Sequence, residues 1–119
     1  MNAEDFVDAV HSEAQEAATE DVISLLERPP GRRPDPKLVA LSQWFNALSE
    51  EDKQRVHEVA TMASHGAIFG ILNIIDGVRA IEDDVDRGAL ELRYVKGNKS
   101  TLLNDPNGPM LHDLLHNSP

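Results

Sequence analysis

The stretch Gly66-Ala-Ile-Phe-Gly-Ile-Leu-Asn-Ile-Ile75 is almost entirely apolar and lies within a helical pattern. Its apolar residues do not form a stripe, because nearly every side of such a helix is apolar. A helix of that kind is buried on all sides. In a chain of 119 residues, it must be enclosed by the rest of the chain or by a second copy. We therefore expect this helix to form the core.

Capping signals place the start of the helix well before this stretch. Ser49 is predicted as its N-cap, and three acids in its first turn suit the positive end of the helix dipole. The pattern then continues from Glu50 to about Asp86. Such a long helix in a small protein favours a break or bend, for which three glycines are the candidates: Gly66, Gly70 and Gly77.

Two more helices are predicted before the central one. The first covers residues 3–27, where apolar residues recur at three- and four-residue steps. Residues 29–36 hold four prolines and form a stiff connector that cannot continue the helix. The second helix begins at Asp35-Pro36, with Asp as N-cap and Pro in the first turn.

Beyond Gly88 the period changes from that of a helix to that of a strand. Residues 90–95 alternate, Gly97-Asn98 fits a two-residue hairpin turn, and residues 100–103 return antiparallel. A short helix over 109–116 ends the pattern. The sequence thus predicts one domain over residues 1–119, of the α+β class. It is mostly helical, with three main helices, a long central buried one among them, then a β-hairpin and a short C-terminal helix.

Composition limits the classes of function. The net charge of −10 disfavours nucleic-acid binding, because phosphates would be repelled. The apolar run covers ten residues, short of the ~20 that a membrane span needs. There is no cysteine and the first residues lack the pattern of a secretory signal. We expect a cytoplasmic protein that binds neither membranes nor nucleic acid and needs no cofactor.

The charge is unevenly distributed along the chain. Residues 1–27 carry eight acids and no Lys or Arg, whereas residues 28–37 carry four cations against Asp35 alone. One interpretation is a solvated acidic helix that keeps the protein soluble. The other is an acidic surface that steers a basic protein partner. The candidate partner-binding residues are Glu13, Glu16 and Glu20.

The acidic cluster near residue 84 suggests a metal site. Glu82 and Asp86 are four residues apart, which places both carboxylates on one face if the helix extends that far. Such pairs hold Mg²⁺ or Mn²⁺, usually with a phosphate substrate, so a metal-dependent phosphohydrolase is the alternative function. The competing interpretation is a solvated helix end.

Asp76 is the strongest candidate for a buried polar site. It follows Ile74-Ile75, so its carboxylate needs a partner, and Arg79 or His65 is expected to supply one. A tuned acid in a pocket and an ion pair or cap at a helix break are both open, with the second favoured. His112 and His116 are spaced as half of a zinc site, but two polar residues on the exposed face of a terminal helix is the favoured interpretation.

Two features predict a homo-oligomer, most simply a dimer. An isolated two-stranded hairpin is marginal in water, so it packs on helices or pairs with another copy. The glycines at 66, 70 and 77 share one helical face where two backbones can approach, although the first helix of the same chain is an equal candidate for that contact.

Five segments resemble a small uncharacterised bacterial domain family: Trp44–Asn46, Leu48–Lys53, Ile75–Glu82, Leu90–Tyr94 and Leu102–Asp105. Their motifs are structural, so the resemblance implies no functional residue. The acidic α+β composition is also similar to that of immunity proteins, which neutralise toxins. No nucleophile motif is present, so a non-enzymatic interaction protein is the favoured function.

Overall fold

The computed structural model describes residues 1–115 in full and the backbone of His116. Within these residues, five α-helices and a two-stranded antiparallel hairpin follow one another, which confirms the α+β class. The elements are α1 (Ala3–Val10), a π-helical segment (His11–Glu16), α2 (Ala17–Glu27), α3 (Pro36–Asn46), α4 (Glu50–Ile75), β1 (Arg93–Lys96), β2 (Lys99–Leu102) and α5 (Leu111–His116).

The chain forms two compact units. The first unit comprises Met1–Ala14 and Gly66–Pro119, and the second comprises Gln15–His65. Both boundaries fall inside helical segments, one in the π-helical segment and one in α4. That the whole chain behaves as one domain stays a prediction.

The predicted caps set the starts of α3 and α4. Asp35 accepts a hydrogen bond from the backbone N–H of Lys37, and Pro36 occupies the first turn of α3. Ser49 Oγ accepts from the backbone N–H of Asp52 at 3.1 Å, ahead of α4. Each side chain satisfies a donor that the helix leaves without an intrahelical acceptor. Both starts agree with the sequence prediction.

The predicted first helix is interrupted. A capping box between Asn2 and Asp5 starts α1, but residues 11–16 adopt π-helical turns before α2 begins. The helical region still ends at Glu27, where the proline connector begins. A π-helical insertion in an α-helix has no simple sequence signature, so periodicity did not reveal it.

Helix α4 ends at Ile75, and the predicted extension to Asp86 is wrong. Gly77 has φ +78°, its N–H donates to the Ile74 carbonyl, and the N–H of Val78 donates to the Asn73 carbonyl. These two bonds form a Schellman motif, which stops a helix at a left-handed residue. The segment after Gly77 is irregular up to β1, so only the candidate break at Gly77 marks the true end.

The core of the first unit is apolar but does not enclose α4. Leu72 is 1% exposed and clusters with Val7, Leu111 and Leu115. Ile68, Phe69 and Ile75 are packed against this cluster, whereas Ile71 is 48% exposed. The chain by itself therefore buries one side of the apolar stretch. Of the two expected ways of enclosing the helix, enclosure by this chain alone does not occur, and enclosure by a second copy stays a prediction.

The glycines of the central stretch lie in different surroundings. A Cβ atom added at Gly66 would meet nothing within 4 Å, and one added at Gly70 would lie 3.4 Å from Nη1 of Arg79. Gly77 lies beyond the end of α4. The three glycines therefore do not form the single helical face from which close packing of two helices was expected.

The hairpin is joined to the end of α4 by Asn104. Strands β1 and β2 pair antiparallel, with Arg93 opposite Leu102 and Lys96 opposite Lys99, around the predicted turn at Gly97. Asn104 donates to the carbonyls of Ile75 and Leu90 and accepts from the N–H of Leu92. One side chain thus satisfies three backbone groups that neither a helix nor a strand satisfies.

The interior of the second unit is largely polar. Its buried residues are two apolar ones and three polar ones: Leu26, Phe45, Gln15, Thr19 and Ser42. The amide of Asn46 donates to the Glu27 carbonyl at 3.2 Å and to Ser42 Oγ at 3.2 Å. The fully buried side chains of this unit are therefore more polar than those of the first unit.

Candidate functional site

The three candidate partner-binding acids are all exposed. Glu13 lies in the π-helical segment, Glu16 ends it, and Glu20 lies in the first turn of α2. Oε1 of Glu20 lies 2.9 Å from Nε2 of His57 on α4. This partner lies within the second unit and leaves most of the Glu20 side chain exposed to solvent.

An open cleft of about 810 Å³ lies beside this pair in the second unit. Its charged lining residues have both signs, including Glu27, Arg28 and Lys53. Lys53 pairs with Glu50 at 3.4 Å and lies over the ring of Phe45. The cleft therefore carries charges of both signs, and one of its cations is paired with an acid of the same lining.

The best-formed polar cluster of the first unit surrounds Asp76. Its side chain is 3% exposed, and it accepts hydrogen bonds from the backbone N–H groups of Leu111 and His112. Nδ1 of His112 lies 2.7 Å from Oδ2 of Asp76, and the imidazole meets the Phe69 ring edge-on. Asp76 thus acts as the N-cap of α5 from a distant part of the chain.

This arrangement corrects the expected partners of Asp76. The structure pairs the carboxylate with His112, which the sequence interpretation had placed on an exposed helix face. The guanidinium of Arg79 lies against Gly70, and Nδ1 of His65 lies 3.2 Å from Oε1 of Gln15. His116 belongs to the expected zinc pair, but its side chain lies outside the described residues.

The expected carboxylate pair loses its geometric basis. Residues 76–92 are not helical, so the four-residue spacing of Glu82 and Asp86 no longer places them on a common face. Glu82 Oε2 instead accepts from the backbone N–H of Gly88 at 2.9 Å, and Asp86 is exposed. Within the described part of the chain, no group of three or more His, Cys, Asp or Glu could hold a metal ion.

Sequence reasoning missed an exposed surface on α3. Leu41 and Trp44 are each 53% exposed, and Lys37 precedes them on the same helical face, because steps of four and three residues bring side chains above one another. The apolar periodicity of the sequence did not predict that the chain's single Trp is exposed. The apolar residues of α3 recur at helical spacing with Trp44 beside them, but Leu41 belongs to that repeat and is as exposed as Trp44, so the pattern does not separate exposed positions from the buried Phe45.

Among the described residues, one helix is long and apolar enough to cross a membrane by length and composition alone. It is α4, with an 18-residue window of which 11% is buried. The central helix of a soluble protein passes the same test.

Comparison of the chain with models of protein families, with curated proteins and with solved structures finds no match. The resemblances drawn from the sequence therefore stay predictions.

Proposed function

We propose that this chain is a non-enzymatic protein-interaction module that captures a basic surface through its acidic N-terminal helices. The observation that carries the proposal is the exposure of Glu13, Glu16 and Glu20 in a segment of 27 residues without Lys or Arg. Exposed charge of one sign accelerates encounter with an oppositely charged partner and excludes partners of like charge.

The chemistry of the other polar groups supports the same choice. The carboxylate of Asp76 is occupied by the start of α5 and by His112, and Glu82 is occupied by a backbone N–H. These groups stabilise the fold where they stand. An immunity-like or antitoxin-like role belongs to this proposal, because an acidic protein can inhibit by covering the basic binding surface of a toxin.

The test is in-cell crosslinking, followed by identification of the crosslinked protein. The variant Glu13→Lys/Glu16→Lys/Glu20→Lys is expected to lose at least ~10-fold of the crosslinked partner, and the lost partner is expected to be basic. A matched control is Asp83→Lys/Asp84→Lys/Asp86→Lys, which makes the same change in net charge on exposed residues of the irregular segment.

The control variant is expected to crosslink as the wild-type chain does. Equal loss in both variants would show that net charge alone governs the association. If the triple Glu→Lys variant crosslinks as much partner as the wild-type chain, the three glutamates do not take part in the interaction. Circular dichroism of both variants establishes that the helices persist.

A further inference from the structure

We infer that a second copy of this chain docks on the second unit, with the basic connector and α3 of one copy against the acidic α2 of the other. The inference rests on the proposed function, because it names a basic partner for the acidic surface of α2. A two-fold arrangement makes this contact twice, since each copy offers both surfaces.

The second unit leaves several large apolar side chains exposed and fully buries few. Within residues 15–65, all of which the structure describes, Leu26 and Phe45 are the buried apolar residues. Six large apolar side chains of the same unit are more than one-third exposed: Val22, Leu25, Leu41, Trp44, Val59 and Met62. A unit of about 50 residues buries too little surface to be more than marginally stable alone, and covering these residues adds burial.

The surface of α3 and its approach is basic and apolar. Arg28, Arg32, Arg33 and Lys37 are exposed, and no ion pair involving them is found among the described residues. Asp35 is the single acid of residues 28–37, and its carboxylate accepts a hydrogen bond from the backbone N–H of Lys37 as the cap of α3. These four cations are therefore available to pair with acids of a partner, and the exposed Leu41 and Trp44 follow them in α3.

The surface of α2 has the complementary character. Asp21, Val22 and Leu25 are exposed on neighbouring faces of this helix, and Glu20 lies beside them. In the described part of the chain, no ion pair joins an acid of α2 to a cation of residues 28–37, although α2 and α3 pack together. The complementary charges of the two segments are therefore not used within one chain.

The connector is already ordered for such a contact. Four prolines within residues 29–36 restrict its backbone, and the cap at Asp35 fixes where α3 begins. Ordering a flexible segment reduces affinity, so a stiff segment binds with a smaller entropic cost. Trp is also the residue type most enriched at positions that dominate binding energy.

Size favours the two-fold arrangement over a single contact. Helices α2 and α3 have 11 residues each, and one pair of that length buries on the order of half of the roughly 1,200 Å² at the lower end of stable interfaces. Two symmetric contacts reach that range. A single head-to-tail contact would leave one basic and one acidic surface uncovered on each assembly.

The test uses the purified chain and measures its association by sedimentation equilibrium. Trp44 is the single tryptophan, so its emission reports on this surface alone. We expect a wild-type dimer whose Trp44 emission moves to longer wavelength on dilution. Leu41→Ser is expected to weaken the dimer at least ~10-fold while leaving the fluorophore in place.

Charge exchange provides the decisive comparison. Arg32→Glu/Arg33→Glu and Glu20→Lys/Asp21→Lys are each expected to weaken the dimer about 10- to 100-fold, because both contacts become repulsive. Mixing the two variants makes both contacts attractive again and is expected to restore a heterodimer. Restoration would also show that both variants are folded.

The control is Asp83→Lys/Asp84→Lys, which is expected to dimerise like the wild-type chain. A wild-type chain that stays monomeric up to millimolar concentration would overturn the inference, and so would a dimer that both charge variants retain or that their mixture fails to restore. The proposed function would survive each of these failures of the dimer inference if the variant Glu13→Lys/Glu16→Lys/Glu20→Lys still lost its crosslinks to a basic foreign protein.

Discussion

The two units of the chain bury different kinds of side chain. Among its described residues, the first unit buries five apolar residues and Asn73, and four of the apolar ones form a single cluster. The second unit buries Gln15, Thr19 and Ser42 beside Leu26 and Phe45. Removal of apolar surface from water stabilises the first interior, whereas three of the five fully buried side chains of the second unit are polar and largely exchange bonds to water for bonds within the protein.

This difference indicates which unit has apolar surface available for a partner. A net hydrogen bond contributes about 0.5–1.5 kcal/mol, whereas full burial of a large apolar side chain contributes about 1.5–3 kcal/mol. A unit that buries mostly polar groups while exposing Leu41 and Trp44 has apolar surface left for a second protein. The dimer inference uses that surplus together with the surrounding charge, whereas the proposed function rests on the exposed acids alone.

The largest expected effect tests the apolar core of the first unit. Leu72→Ala removes a side chain that is 1% exposed and is expected to lower the free energy of unfolding by about 3 kcal/mol, because it leaves a cavity. Ile71→Ala on the neighbouring, exposed position of α4 is the control, with an expected cost below ~1 kcal/mol. Urea unfolding measures both, and equal costs would contradict the burial of one side of α4.

A smaller effect is expected from the cluster around Asp76. Asp76→Ala removes three hydrogen bonds to a buried carboxylate and is expected to cost about 2 kcal/mol. Asp113 also lies beside His112, with Oδ1 3.3 Å from Nε2, but its side chain is mostly exposed. The control variant Asp113→Ala is therefore expected to cost no more than ~0.5 kcal/mol. Unfolding of both variants is compared with hydrogen exchange of the α5 amides, and unchanged exchange in Asp76→Ala would show that this carboxylate does not cap the helix.

The smallest effect compares the two interiors directly. Thr19 Oγ1 lies 3.3 Å from the Gln15 carbonyl and 3.1 Å from Ser64 Oγ, and Thr19→Val is expected to cost less than ~1 kcal/mol, because volume is kept and the half-buried Ser64 can bond elsewhere. The reverse change in the first unit, Val7→Thr, places a hydroxyl in an apolar cluster and is expected to cost about 1–2 kcal/mol. Thermal unfolding of the pair checks this order, and a reversed order would erase the distinction between the units.

The local features of the fold could be predicted where neighbouring residues decide them. Asp35 and Ser49 cap α3 and α4 as predicted, because a cap is a contact between residues two or three positions apart. The hairpin turn at Gly97, with φ +60°, is likewise settled by its own few residues. The apolar repeats also predicted that helices form over 36–46 and over most of 50–75.

The candidate site could not be predicted to the same extent. Asp76 was recognised as a carboxylate in need of a partner, but its partner is 36 residues away in the sequence, where no spacing rule applies. The helical extension through Glu82 and Asp86 was wrong, because charged residues at plausible spacing do not outweigh a left-handed glycine that satisfies the last carbonyls. The exposure of Trp44 depends on which face of α3 meets α2, and that choice is a property of packing.

The sequence by itself determined most of the helical regions, the caps at Asp35 and Ser49, the stiff connector and the uneven distribution of charge, since each depends on residue type and short-range spacing. Tertiary structure alone decided that α4 is covered on one side, that Asp76 joins α5, and that Leu41 and Trp44 stay in solvent. Those outcomes depend on which distant surfaces meet, and a pattern of residues in one dimension does not specify that choice.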